Sequence, residues 1–140
     1  MNIALMAHTN KEELMTQFCT AYAGVLSRHT LCATSITGRA VAEATGLPIH
    51  LFLARVHGGI EQIGARLAYD ELDLVLFFND PNDHDPRRAE EVSYISSLCD
   101  KHNVPFASNV ATAEMLVLGL DRGDLDWREV LYPRNLPFTS

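Results

Sequence analysis

Several groups able to move protons or hold an anion follow short apolar runs in this chain. His8 comes directly after Ile3–Ala7, and Lys11 is three residues on. The turn Thr34-Ser35-Ile36-Thr37-Gly38 follows Leu31-Cys32-Ala33. Arg55, His57 and the pair Gly58-Gly59 follow Ile49–Leu53 and lead into Ile60-Glu61-Gln62. Asp80-Pro81 and His84-Asp85-Pro86-Arg87 follow Leu74–Phe78. Paired glycines let the backbone approach a ligand closely, and first-turn amides of a helix face an anion. The hydroxyl-rich turn Thr34, Ser35, Thr37, Gly38 suits a phosphate for the same reason. Arg55, His57 and Arg87 add cationic groups at the same rim. Plain helix capping accounts for the hydroxyls equally well, and surface ion pairs with Asp85, Glu90 or Glu91 account for the arginines. Glu61, Asp80 and His84 are the candidate proton carriers, histidine because its ordinary pKa lies near neutrality. No spacing calls for a metal or a cofactor.

Elements that would position these groups are legible from periodicity. Ile3–Ala7, Leu31–Thr34, Ile49–Leu53, Leu74–Phe78 and Val104–Ser108 read as strands buried on both faces. Helices are predicted from about Lys11 to Leu26, Thr37 to Ala44 with Gly46 as terminator, Gly59 to Tyr69, Arg87 to His102, and Ala111 to Leu118. Thr9 and Glu12 have the form of a capping box. The segment after Gly119 is the least periodic, broken by Pro133 and Pro137, with Trp127 and Tyr132 read as packing residues. Strict strand–helix alternation predicts an α/β fold, three layers α/β/α around a five-stranded parallel sheet, in a single domain over residues 1–140. Ligands of such sheets sit beyond the carboxyl ends of the strands, where strand order reverses. All five candidate loops lie on that side.

Bulk properties narrow the field. The chain has 140 residues and a net charge of −7, which argues against a nucleic-acid surface and against an anionic membrane. Met1-Asn2-Ile3 enters a strand pattern at once, so a leader segment is not expected and a cytoplasmic location is. Cys19, Cys32 and Cys99 are odd in number and without metal spacing, and read as reduced packing residues.

The frame made by Ala33–Gly38, Gly58–Ala65, Asp80-Pro81, His84-Asp85-Pro86 and Asn109–Glu114 resembles the methylglyoxal synthase family, in order and over nearly the whole chain. The resemblance implies that fold, a hexameric assembly, and a reaction that removes a proton alpha to the carbonyl of dihydroxyacetone phosphate and expels phosphate from an enediol. Several positions depart. The family's Gly-Gly-Asp-Gln-Gln, with Asp as base, is Gly58-Gly59-Ile60-Glu61-Gln62 here. Its phosphate turn Thr-Gly-Thr-Thr-Gly is Thr34-Ser35-Ile36-Thr37-Gly38. Its Ala-His-Asp, followed by a lysine four residues after the His, keeps His8 but has Thr9 and Glu12. Its His-Asp-Pro-Asp ends in Arg87 after a shortened spacer. These replacements lead to the expectation of a divergent member that binds a small phosphorylated or anionic metabolite with the family reaction lost or altered. An active lyase working through Glu61 and His84, and a non-catalytic assembly subunit, are the alternatives.

Overall fold

The computed structural model describes residues 1–133, so the expected break at Pro137 lies outside the described residues. Five strands, β1 (Asn2–Ala7), β2 (Thr30–Ala33), β3 (Ile49–Leu51), β4 (Leu74–Phe78) and β5 (Phe106–Ala107), pair in the order β3-β2-β1-β4-β5. Every pairing is parallel, with Leu5 opposite Ala33 on one side of β1 and Leu76 on the other. Helices α1 (Glu12–Ala21), α2 (Ala23–Leu26), α3 (Ser35–Thr45), α4 (Gly59–Ala68), α5 (Pro86–His102), α6 (Val110–Asp121) and α7 (Trp127–Leu131) complete the fold. Single 3₁₀ turns cover Thr9–Lys11 and Arg55–His57.

Strand alternation sorts the core into two halves. Ile3, Leu5, Ala7, Leu74, Leu76 and Phe78 face Met15, Phe18, Val41 and Val117 of α1, α3 and α6. Ala4, Met6, Val75 and Phe77 face Ile60, Ile63, Leu67, Ile95 and Cys99 of α4 and α5. All residues of β4 are buried, which explains its uninterrupted apolar sequence. The cysteines are free and buried, and burial pushes the Cys19 and Cys99 thiols up to about 12.

Local signals fix the helix ends near the site. The Asp85 carboxylate accepts the Arg87 amide at 3.0 Å with Pro86 in the first turn, so α5 starts sharply. Asn109 caps α6 by accepting the Thr112 amide at 3.0 Å. Gly46 ends α3 at φ 74°.

Four expectations are corrected here. The first helix breaks at Tyr22, whose φ of −107° and ψ of 19° leave the α region, so α1 and α2 are separate. Thr9 is no N-cap, since it lies inside the 3₁₀ turn and no side-chain cap bond forms there. The last strand keeps only Phe106–Ala107, because its pairing with β4 stops at Leu76–Ala107. The weakly periodic segment holds α7, anchored by a wholly buried Arg128. Arg128 donates to Asp73 Oδ1 at 3.0 Å, to the Asn103 carbonyl at 2.6 Å and to the Leu72 carbonyl at 3.2 Å. Its guanidinium also lies 5.4 Å from the Trp127 ring and 4.8 Å from the Tyr132 ring.

Candidate active site

Strand order reverses at β1, with β2 on one side and β4 on the other. The carboxyl ends of these strands bring His8 and Asp80 together. The His8 ring is 1% exposed and stands edge-on to Phe77 at 5.1 Å. Its Nδ1 accepts the Asp80 backbone N–H at 3.0 Å. A backbone amide only donates, so Nδ1 is unprotonated and the neutral ring carries its proton on Nε2. Burial, reinforced by the charge of Arg55, holds the His8 pKa below its ordinary value, which keeps the ring neutral. Nε2 is buried and finds no hydrogen-bond partner among the described residues. The Asp80 carboxylate accepts the Asn82 amide at 3.0 Å and the Asn10 side-chain amide at 3.1 Å, and these bonds hold its pKa below the usual carboxylate range. Lys11 adds to the same effect.

Two turns meet beside this pair. Thr34 precedes α3, is 1% exposed, and its Oγ1 is a second buried polar atom without a partner among the described residues. Thr37 and Gly38 are buried in the first turn of α3, Ser35 is half-buried, and Ile36 is exposed. Gly58 adopts φ 107°, a conformation side chains disfavour, and turns the chain into α4. Gly59 packs so tightly that a Cβ there would lie 2.1 Å from the Leu53 carbonyl oxygen and 2.9 Å from Thr34 Cγ2. The glycine pair therefore joins the two candidate anion turns.

Beyond them lies a charged cluster. Arg55 pairs with Glu91 of α5, and Arg88 pairs with the same carboxylate at 3.0 Å. All three side chains are at least 85% buried. Glu91 Oε2 is 3.9 Å from His8 Nε2, too far for a hydrogen bond. Glu12 joins the field of Arg55, and burial raises its carboxyl pKa. A cleft of about 350 Å³ opens here, lined by Arg55, Val56, Ile60, Glu61, Arg87, Arg88, Glu90, Glu91 and Tyr94.

Of the residues singled out from sequence, His8, Asp80, Thr34, Thr37, Gly38, Gly59 and Arg55 come together in a buried arrangement, with Gly58 and Ser35 half-buried beside them. His57, Glu61, His84 and Arg87 are exposed. Arg87 binds Asp85 at 2.7 Å on the surface, as a plain ion pair would. Ile60 is 4% exposed and belongs to the apolar core. Sequence reasoning missed Asn10, Arg88 and the inward placement of Glu91 and Glu12. Arg88 and Glu91 at i and i+3 are visible as a helical pair, but nothing local shows which way that face of α5 points.

Comparison with known proteins follows the same frame. The family model described as MGS-like domain matches residues 15–108. A methylglyoxal synthase of Caldicellulosiruptor saccharolyticus is 52% identical over 134 residues, 96% of this chain and 94% of that one. A methylglyoxal synthase of Oceanobacillus iheyensis is 49% identical over 96% of this chain and 95% of its own. The crystal structure of methylglyoxal synthase from Elizabethkingia anophelis NUHP1 superposes with a TM-score of 0.80 at 29% identity, covering 99% of this chain and 93% of that chain. These relatives overturn the expectation that the family reaction is lost. Identity near one half over almost the whole chain ties it to proteins named for the enzyme, not to a divergent binding protein. Ile60 speaks for one turn in isolation, whereas the fold places another carboxylate, Glu91, next to His8.

Proposed function

The chain belongs to the MGS-like domain family, and on that premise we propose that it is an active methylglyoxal synthase-type carbon–oxygen lyase, converting dihydroxyacetone phosphate to methylglyoxal and inorganic phosphate. One observation carries the reading beyond the family. His8 Nε2–H and Thr34 Oγ1 are buried polar groups without protein partners among the described residues, at the strand switch point. Leaving such a group unsatisfied costs about 1–3 kcal/mol, and a bound substrate removes that cost.

The substrate's phosphate is assigned to the turn of Thr34, Ser35, Thr37 and Gly38, closed by Gly58-Gly59 at the positive end of α4. Its carbonyl oxygen is assigned to His8 Nε2–H. A neutral imidazole donates a hydrogen bond to that oxygen and stabilises the enediolate as charge develops. Asp80 works through its backbone amide, which fixes the tautomer of His8, while its carboxylate is engaged by Asn82 and Asn10. Purified protein is expected to form methylglyoxal and release phosphate with a turnover number of about 1–1000 per second. Absence of both products at saturating substrate would overturn the reading.

Two further parts of the proposal concern the whole molecule. No helix among the described residues is long and apolar enough to cross a membrane, and a cytoplasmic location accords with this. Assembly into a hexamer is proposed from the family resemblance, supported by exposed Ile36, Leu51, Leu53 and Val56 around the β3 edge. Sedimentation equilibrium is expected to give a mass near six chains; a single-chain mass of 15.5 kDa would reject it.

A further inference from the structure

The lyase reaction needs a carboxylate over the carbon that loses its proton, and the family's turn on α4 offers Ile60 instead. We propose that Glu91, on α5, takes that proton. The inference rests on the lyase reading above.

Geometry selects Glu91 among the carboxylates of the site. Its Oε2 faces His8 Nε2 across 3.9 Å, so the two groups line one gap without satisfying each other. An enediolate requires that pairing: a donor at the carbonyl oxygen and a base at the adjacent carbon, each about 3 Å from its atom. Glu61 is exposed on α4. Asp80 meets His8 at Nδ1, through its backbone amide, and not at the Nε2 donor. Glu12 reaches the field of Arg55, whereas among the described residues Glu91 is the carboxylate within 4 Å of His8 Nε2, at 3.9 Å. Ile60 and Glu91 line the same cleft, so a carboxylate on α5 reaches the space the turn on α4 no longer serves.

Arg55 and Arg88 both contact Glu91 and hold its carboxylate in place. The same two charges stabilise the enediolate that replaces it, so negative charge moves from one oxygen to another within one positive field.

The step balances. Glu91 Oε2 bonds the proton, the C–H bond of the hydroxymethyl carbon breaks, and its electron pair becomes the C=C bond. The carbonyl pair moves onto oxygen, which accepts from His8 Nε2–H. The hydroxyl on the deprotonated carbon then gives its proton to the departing phosphate and becomes the aldehyde. The double bond shifts, the C–O bond to phosphate breaks, and phosphate leaves with the electron pair. The remaining enolate takes the proton held by Glu91 at its terminal carbon, which gives the methyl group and restores the carboxylate. No oxidant or reductant is needed.

The test is Glu91→Gln, which keeps size and an acceptor oxygen but cannot take the proton. Two readouts apply: methylglyoxal formation, and deuterium incorporation from D₂O at the hydroxymethyl carbon of dihydroxyacetone phosphate, followed by NMR. Both are expected to fall by about 10²–10⁴-fold, with KM changed by no more than about threefold because phosphate binding is retained. Adding Ile60→Asp to this variant is expected to recover part of the exchange. If Glu91→Gln does not fold, Glu91→Asp serves instead: it withdraws the carboxylate by one methylene and should cost about 10²-fold in exchange. Exchange and product formation within a few-fold of the parent in the folded variant would overturn the role of Glu91 and leave the lyase reading standing. A parent protein that neither exchanges nor yields product would overturn both.

Discussion

His8→Asn is expected to lower kcat for methylglyoxal formation by about 10²–10³-fold, the loss typical of one preorganised donor to a developing oxyanion. Asparagine is the informative replacement. Its side-chain oxygen can still accept the Asp80 amide that now binds Nδ1 at 3.0 Å, while the Nε2 donor is removed. The loss should therefore fall on kcat, with phosphate binding little changed. A variant with native kcat would remove His8 from the chemistry. The same residue makes an acid-side prediction. Burial holds the folded His8 pKa below its ordinary value of 6.5, so the unfolded chain binds the proton first. His8 then contributes stability that is fully present above pH 6.5 and falls as pH drops below it, by up to about 1.4 kcal/mol per pH unit. Activity should fall on the same side, since the imidazolium no longer accepts the Asp80 amide. In urea titrations between pH 7 and 5, the parent should lose more stability than His8→Asn. Equal pH dependence in the two proteins would contradict the assignment.

Arg128→Met is expected to cost about 3–5 kcal/mol of folding stability, which is the usual effect of removing one partner from a buried ion pair. The guanidinium is wholly buried and makes bonds to Asp73 and to the Leu72 and Asn103 carbonyls. Its loss takes the Arg128 charge away from the buried Asp73 carboxylate, which keeps the Asn2 amide at 2.8 Å. For a chain of this size the melting temperature should drop by about 10–20 °C. The Arg128→Met/Asp73→Leu double variant should recover part of this, because no uncompensated charge remains. The anchor lies at the amino-terminal end of the sheet, opposite the active site, so kcat of the folded fraction should be unchanged. A drop smaller than about 1 kcal/mol would show that α7 is held without the Arg128 anchor.

What the residues determine locally is legible in the sequence itself. Leu74–Phe78 is wholly apolar and is the wholly buried strand. Gly46, Asp85-Pro86 and Asn109 punctuate helices because left-handed backbone, proline in the first turn and side-chain acceptors act within a few residues. Gly58-Gly59 had to be a close-packed turn, and the alternation of elements had to give a parallel sheet with its reactive loops on one rim. What required the fold was every relation between distant segments. Thr9 and Glu12 match a capping box, yet the chain enters α1 through a 3₁₀ turn and Glu12 turns toward Arg55. Arg55 and Glu91 read as surface charges, and packing of α4 against α5 made them a buried pair facing His8. Ile60 showed that a base was missing from its turn but not that α5 presents another, because the direction of a helix face is set by the element it packs on. Arg128 sits in the least periodic segment, and only the docking of α7 on Leu72, Asp73 and Asn103 buries it. Short-range hydrogen bonding and periodicity therefore decided the elements, while burial and charge pairing across the sheet decided which side chains share the site.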